Sequence, residues 1–207
     1  MKTEKENFSS AWIYKHDSRY NWDLYWHQLD LVMNKSSLKR TDKIYEIGVG
    51  SGLTSGYLKQ KGFTIQTIDI DKDKNPDITA DITSFEFPDA SCYIAFEVFE
   101  HIPFEEAKSV WEQFSQKGIK YVIISLPYAY KTYLWANLWS PFFGEKSIRL
   151  GRKRNKINAT HHYWELGYKG MNKEKIIKTF KEIGYSNSAS YRYRSHHFFM
   201  FNLNNEK

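Results

Sequence analysis

The stretch EIGVGSG, residues 46–52, decides the fold, because it joins a short apolar segment to an amphipathic one. Lys43–Ile47, before it, has the composition of a strand, and Leu53–Lys61, after it, has the spacing of a helix closed by Gly62. Glycine lets the backbone turn sharply and pass close to a ligand. The stretch therefore predicts a strand, a glycine-rich turn and a helix, with a ligand at the turn.

Strands and helices alternate along the rest of the chain. Further strands are predicted at Phe63–Ile70, Ile78–Ala80, Cys92–Phe96, Lys120–Ser125, Ser188–Tyr193 and His197–Leu203. Helices are predicted over Trp22–Met33, from Phe104 to about Gly118, and from Asn172 to Gly184. The alternation predicts a parallel sheet with helices on both faces, and the last two strands, joined by a tight turn, predict an antiparallel edge.

Length, composition and charge limit the class of protein. A chain of 207 residues, 41% of them hydrophobic, supports one compact domain, and its apolar runs are too short to span a bilayer. Residues 1–10 lack the apolar segment of a signal peptide, and a single cysteine, Cys92, excludes an intrachain disulfide. We expect a cytoplasmic protein. The net charge of +6 suits an anionic partner. A local basic cluster suits one too, but a solvated loop explains this cluster equally well: Arg149, Arg152, Lys153, Arg154 and Lys156.

The turn itself favours an amine-bearing ligand over a dinucleotide. Glu46 stands just before the first glycine, where an acid would repel a pyrophosphate. The glycines alternate at Gly48, Gly50 and Gly52, which departs from the GxGxxG spacing of dinucleotide-binding proteins. A glycine turn alone is nevertheless compatible with NAD, FAD or no ligand at all.

Acidic residues also follow the next predicted strands. Asp69 ends the second strand, where a carboxylate can accept hydrogen bonds from both ribose hydroxyls. Asp81 and Ile82 follow the third strand, and an acid beside an apolar residue suits the amino group and face of an adenine. This order of side chains is that of a nucleoside with an amine at its far end.

Four segments together resemble successive motifs of the class I S-adenosylmethionine-dependent methyltransferases of the type 11/12 group. They are EIGVGSG (46–52), IDID (68–71), ADI (80–82) and FEVFEHIP (96–103). The resemblance covers residues 43–202. It implies an α/β fold, a Rossmann-like three-layer sandwich, with a mostly parallel seven-stranded sheet and a C-terminal antiparallel hairpin. It also implies S-adenosyl-L-methionine as cofactor and methyl transfer as activity.

The resemblance assigns a domain plan and individual roles. Residues 1–207 would form a single methyltransferase domain, with an N-terminal aromatic cap over 1–42 and a lid-like insertion over 128–170. The implied cofactor-binding residues are Glu46 for the methionine amino group, Gly48, Gly50 and Gly52 for methionine and ribose, Asp69 for the ribose, Ile70, Asp81 and Ile82 for the adenine, and Glu97 near the sulfonium. Two departures are Tyr93, where relatives often carry Asp, and the missing helix after the second strand.

A cluster of acids and histidines lies at the rim of the expected site. The ExxEH pattern of Glu97, Glu100 and His101, with the later His162, resembles enzymes that methylate the terminal 2′-hydroxyl of small RNAs, and also ubiquinone-pathway O-methyltransferases. In those enzymes the cluster holds a divalent ion. In metal-free relatives the acids cap a helix and the histidine lines the pocket, which is the arrangement we expect here. His101 is then the candidate base or acceptor-positioning residue, and the pair at 196–197 is expected to be structural.

Two regions rich in aromatic residues are expected to bind the methyl acceptor. They contain six of the seven tryptophans: Trp12, Trp22, Trp26, Trp135, Trp139 and Trp164. In the insertion an apolar half precedes a basic half, which suits a lid, a membrane-surface patch or a nucleic-acid groove. We expect the aromatic residues to pack onto the sheet and form a lid.

The expected function is methyl transfer, at oxygen, to a small-molecule, glycan or lipid-linked acceptor. Peripheral membrane contact is compatible with this function, whereas nucleic acid is not an expected partner. The alternatives are a metal-dependent RNA 2′-O-methyltransferase and a non-catalytic S-adenosylmethionine-binding module.

Overall fold

A seven-stranded sheet forms the centre of the computed structural model, which describes residues 18–153, 157 and 161–204. The strands in chain order are β1 (Lys43–Ile47), β2 (Thr64–Asp69), β3 (Ile78–Thr79), β4 (Cys92–Phe96), β5 (Tyr121–Pro127), β6 (Tyr130–Ser140), β7 (Gly144–Lys153), β8 (Tyr185–Tyr193) and β9 (His196–Leu203). The main sheet has the order β3-β2-β1-β4-β5-β9-β8. Its first five strands are parallel, and β9 runs antiparallel to both β5 and β8. The predicted Rossmann-like sheet with a C-terminal hairpin is confirmed.

Helices cover both faces of this sheet. They are α1 (Arg19–Asp30), continued by a π-helical segment (Leu31–Lys35), α2 (Leu53–Gln60), α3 (Phe104–Gln116) and α4 (Lys173–Glu182). Buried residues of α1 and α2 pack in one apolar cluster, and those of α3 and α4 pack in the other. Asn172 caps α4, because its side chain accepts a hydrogen bond from the Lys175 amide. Each predicted element is present, and its ends lie within three residues of the predicted ones.

Aromatic packing fills the face under α3 and α4. Trp111 is 0% exposed, and its ring centroid lies 4.8 Å from that of Phe180 and 5.2 Å from that of Phe99. Tyr93, which stands where relatives often carry Asp, is also buried here and stacks on Phe114 at 4.4 Å. Its hydroxyl donates a hydrogen bond to the Pro88 carbonyl, so a polar atom inside the core is satisfied. Tyr93 is therefore a packing residue.

The connection after β2 is a short turn in place of a crossover helix. Residues Lys72–Lys74 form a single 3-10 turn before β3. The Asp77 carboxylate accepts hydrogen bonds from the amide and the hydroxyl of Thr67, at 2.8 and 2.9 Å. These bonds hold the loop against β2 where a helix would otherwise cover the sheet.

The insertion after β5 divides into two parts. Strands β6 and β7 form a separate two-stranded sheet, whereas Trp164, Leu166 and Met171 return to the main core and are buried. The expectation that the insertion's aromatic residues pack onto the sheet holds for Trp164 and is wrong for Trp139, which is 75% exposed. A two-stranded hairpin extends the chain away from the core, so its outer residues cannot reach the sheet. Trp12 lies outside the described residues.

Among the described residues, no helix is both long enough and apolar enough to cross a bilayer.

Two tryptophan substitutions test this division between core and hairpin. Trp111→Ala should lower the free energy of unfolding by about 3–5 kcal/mol, because it leaves a cavity among packed rings. Trp139→Ala, the same change at an exposed site, should alter it by less than about 0.5 kcal/mol. Urea unfolding followed by circular dichroism measures both, and equal losses would contradict the fold described here.

Candidate functional site

A cavity of about 260 Å³ opens at the carboxyl ends of β1, β2 and β4. In open α/β sheets, ligands bind at this edge of the sheet. Eight residues singled out from the sequence line it: Gly48, Gly50, Asp69, Ile70, Asp81, Ile82, Glu97 and His101. Residues from four distant segments of the chain therefore meet in one place. Glu46 and Gly52 are not among its lining residues.

The glycine turn is shaped by close packing on one side and open space on the other. A Cβ atom at Gly48 would lie 2.5 Å from Val98 Cγ2, a distance that side chains do not tolerate. A Cβ atom at Gly50 would meet no protein atom within 4 Å, and the residue lines the cavity. Both have positive φ, 77° and 54°, which favours glycine. Gly48 thus lets the loops pack, and Gly50 leaves room for a ligand.

Asp69 is buried at the base of the cavity. Its Oδ2 accepts a hydrogen bond from the Val49 amide at 2.8 Å, and its Oδ1 accepts one from the Asp71 amide at 2.9 Å. Lys74 Nζ lies 3.4 Å from Oδ2 and also lines the cavity. A carboxylate has about four acceptor directions, so these bonds fix its orientation and leave capacity for further donors.

Asp81 lies at the opposite end of the cavity from Glu97. Its Oδ1 accepts hydrogen bonds from the amide and hydroxyl of Thr83, at 2.9 and 2.8 Å. The side chain is exposed, and the neighbouring Ile82 is buried. The pair thus presents a fixed carboxylate beside an apolar surface.

Glu46 lies at the end of β1 and is only 3% exposed. Burial raises the pKa of its carboxyl to about 8, while hydrogen bonds from Ser55 and the charge of Lys59 act in the opposite direction. Its Oε2 atom is buried without a hydrogen-bond partner. A buried acceptor of this kind is suited to a donor that the protein alone does not supply.

Glu97 has a strained backbone at the end of β4. Its φ of 58° is unusual for a residue other than glycine, and such strain is common at functional sites. Its Oε1 accepts a hydrogen bond from the Ser125 hydroxyl at 2.8 Å, and its Oε2 lies 3.0 Å from His196 Nδ1. The side chain is therefore held from β5 and from β9.

The Glu97–His196 pair continues into helix α1. His196 Nε2 lies 2.8 Å from the Tyr20 hydroxyl, which lies 2.8 Å from the Ser195 hydroxyl. Burial raises the pKa of Tyr20, so its hydroxyl stays protonated near neutral pH. Helix α1 is fastened elsewhere by the bond from the Tyr193 hydroxyl to Asp23. The N-terminal segment is thus connected by polar contacts to the site, and His196 has a partner in it.

Three histidines meet beside the cavity. One ligand atom from each of His101, His161 and His162 lies within 4.8 Å of the others. His162 Nδ1 lies 2.7 Å from Glu165 Oε1, and the Tyr163 amide donates to the Glu100 carbonyl at 2.8 Å. These contacts dock the later segment on the turn that carries His101.

This cluster differs from the ligand set that the ExxEH pattern suggests. His101 and His162 come together, and His161 joins them. Glu97 is bound instead to Ser125 and His196, and Glu100 Oε1 is 3.9 Å from His101 Nε2. Burial, followed by the nearby histidines, lowers the pKa of His101 to about 4, so its ring is neutral near pH 7.

Four residues of this site were not predicted from the sequence. Lys74 sits in a polar loop, and Tyr20, His161 and His196 carry no motif; only the fold brings them together. The adjacent His197 is buried and bonded to Ser190 at 2.9 Å, which agrees with the structural role expected for that residue. The single usable signal was the adjacency of two histidines at 161–162 and at 196–197.

Comparison with known proteins supports the fold. No family profile matches the sequence, and no curated protein matches it either. Among solved structures, the magnesium protoporphyrin IX methyltransferase of Synechocystis PCC 6803 with bound S-adenosylmethionine matches with a TM-score of 0.56 and 14% identity, over 89% of this chain and 79% of that one. A 1,6-didemethyltoxoflavin-N1-methyltransferase from Burkholderia thailandensis matches with a TM-score of 0.59 and 6% identity, over 97% and 85%.

A third solved structure belongs to an RNA enzyme. The small RNA methyltransferase HEN1 matches with a TM-score of 0.58 and 15% identity, over 90% of this chain but 25% of that chain. At such low identities these likenesses show the fold: the chain has the Rossmann-like fold of class I methyltransferases, as its motifs predict.

The buried carboxyl of Glu46 should make stability depend on pH. Its pKa is raised from 4.5 to about 8, so its stabilising contribution is complete below about pH 4.5 and is lost as the pH rises toward 8. In the unmodified protein this group should lower the free energy of unfolding by roughly 1.4 kcal/mol for each pH unit in this window, and Glu46→Gln should abolish that slope. Urea unfolding between pH 5 and pH 8 measures it, with Glu86→Gln as the exposed control. Parallel pH profiles for Glu46→Gln and the unmodified protein would contradict the assignment.

Proposed function

We propose that this protein transfers a methyl group from S-adenosyl-L-methionine to oxygen of a small-molecule, glycan or lipid-linked acceptor. One observation carries the proposal: the glycine turn, Asp69 and Asp81 line a single cavity in a fold that methyltransferases share. The order of these residues along the sheet edge matches the order of the chemical groups in the cofactor.

The residues of the cavity fit this cofactor. Gly50 leaves the open space that a ligand needs, and Asp69 Oδ1, which accepts one amide hydrogen bond, can accept another from a ribose hydroxyl. Asp81 would accept a hydrogen bond from the adenine amino group, and Ile70 and Ile82 would pack against the adenine ring. Glu97 stands at the end where the methionine would lie. Glu46 does not line the cavity, so we assign it a contact with the amino group through water.

The protein's part in the reaction is to orient the acceptor and exclude water. When bound, the cofactor would supply an activated methyl group, which would pass to the acceptor oxygen as its bond to sulfur breaks and S-adenosylhomocysteine leaves. The neutral ring of His101 lines the cavity and can accept a hydrogen bond from the acceptor hydroxyl. We therefore assign it as the acceptor-positioning residue. Tyr20 and α1 would close the acceptor side.

A metal-dependent RNA 2′-O-methyltransferase is the second candidate, and the three-histidine cluster is the observation that favours it. Imidazole groups suit Zn²⁺, Fe²⁺ or Ni²⁺, whereas Mg²⁺ prefers oxygen ligands. His101, His161 and His162 would hold such an ion, and Glu165 would orient His162. A bound ion would acidify the acceptor hydroxyl.

Cofactor binding tests the proposal most simply. The protein should bind one S-adenosylhomocysteine per chain in isothermal titration calorimetry. Gly50→Trp should abolish binding, because the ring fills the cavity, and Asp69→Ala should weaken it by about tenfold or more, since each bond to a charged group contributes about 1.5–3 kcal/mol. Asp89→Ala, an exposed aspartate outside the cavity, is the matched control. Tighter binding of NAD would contradict the proposal.

Turnover with an acceptor separates the two mechanisms and the non-catalytic alternative. In the metal-free reaction, His101→Gln should reduce turnover by about 10²-fold, while His161→Ala and EDTA should have little effect. If the reaction needs metal, all three treatments should abolish activity, and Zn²⁺ or Fe²⁺ should restore it after EDTA. Homocysteine release across hydroxyl-bearing metabolites, glycans, lipids and RNA 3′ ends provides the readout. Tight cofactor binding with no turnover in any class would favour a binding module.

A further inference from the structure

The net charge of the protein is concentrated in one stretch of the sequence. Residues 131–156 contain seven of the 30 lysines and arginines but only one of the 24 acidic residues. The rest of the chain has 23 of each, so it is neutral overall. Residues 131–153, with five of these seven basic residues, belong to β6, β7 and their turn. Such a concentration of charge points to an anionic partner for this hairpin in particular.

One face of the hairpin carries exposed aliphatic side chains. In an antiparallel pair, directly opposed residues lie on the same face, and the register opposes Leu134 to Leu150, Ala136 to Ile148 and, nearer the turn, Leu138 to Lys146. Leu134, Leu150 and Ile148 are between 49% and 58% exposed. Leucine and isoleucine side chains in this exposed arrangement mark an interaction surface.

The turn of the hairpin adds exposed aromatic rings. Phe142 is 87% exposed, and Phe143 and Trp139 are each 75% exposed. The turn is the part of the hairpin that lies farthest along the strands from the main sheet, since β6 leaves that sheet at its other end. The hairpin thus has aromatic side chains at its tip and basic residues along its strands. Segments that enter a membrane interface have this composition.

The base of the hairpin is fixed to the main sheet near the candidate site. The Arg192 guanidinium stacks on the rings of Tyr128 and Tyr130, at 4.3 and 4.2 Å from their centroids. The Tyr128 amide donates to the Ser195 carbonyl at 2.7 Å, next to His196. A partner that binds the tip of the hairpin would therefore lie at a fixed position relative to the cavity.

We propose that the β6–β7 hairpin docks this protein on an anionic lipid membrane, with Trp139, Phe142 and Phe143 at the interface and the basic residues against the headgroups. A second copy of the chain fits less well, because facing hairpins would bring two concentrations of positive charge together. A bilayer accounts for the charge, the rings and the aliphatic face.

Vesicle binding tests the proposal without any methyl transfer. The full chain is sedimented with vesicles of phosphatidylcholine alone or with about 30% phosphatidylglycerol, in 50 mM salt. It should bind the anionic vesicles, and Phe142→Ser with Phe143→Ser should weaken binding at least tenfold, since each ring loses its burial. The double variant Arg149→Gln with Arg152→Gln should weaken binding about 25-fold. Each basic residue near an anionic surface contributes about 1 kcal/mol to binding, which is about fivefold in affinity per charge removed. Trp22→Ser with Trp26→Ser, exposed aromatic residues on α1, is the matched control and should leave binding unchanged.

Several results would overturn the proposal. These are no binding to anionic vesicles, equal binding by the hairpin variants and the unmodified protein, or equal loss in the α1 control. Two more are a dimer in light scattering that the phenylalanine variant abolishes, and tighter binding to a single-stranded RNA with the same dependence on the two phenylalanines. Thermal unfolding establishes that each variant is folded, and failure of cofactor binding would leave the vesicle result intact.

Discussion

The close approach of two loops at the carboxyl ends of β1 and β4 is the constraint on which the site depends. Gly48 passes so near Val98 that any side chain there would collide with it. This contact brings the turn after β1 beside the segment that carries Glu97 and His101, and both segments line the cavity. A larger residue at position 48 would separate the turn after β1 from the segment that carries Glu97 and His101.

A second connection joins the cavity to helix α1. Glu97 reaches His196 and, through it, Tyr20 on α1, so three segments that are distant in sequence share one chain of polar contacts. The strained φ of Glu97 is maintained because Ser125 and His196 hold its carboxylate. The base of the β6–β7 hairpin lies beside this same region, since the Tyr128 amide donates to the Ser195 carbonyl.

The sequence predicted the sheet because each strand reads directly from its composition. Residues of β4 and β5 are almost wholly buried and apolar, and glycine and acidic residues mark the ends of β1 and β2. It did not predict the hairpin, since alternating aromatic and polar residues there also suit a packed lid, and exposure depends on tertiary structure. The roles of His161 and His196 escaped prediction for a similar reason: His161 meets His101, which is 60 residues away in sequence, and His196 meets Glu97, which is 99 residues away. Charge and periodicity report local structure, whereas sites are built from distant contacts.

The central claim is that the cavity at the ends of β1, β2 and β4 holds S-adenosylmethionine in one orientation. A crystal structure with S-adenosylhomocysteine tests it most directly. We predict the adenine against Ile82 with its amino group at Asp81, the ribose hydroxyls on Asp69, and the sulfur beside Glu97 and His101. Density for the ligand in the reverse orientation, or at another site while this cavity contains only solvent, would contradict the account.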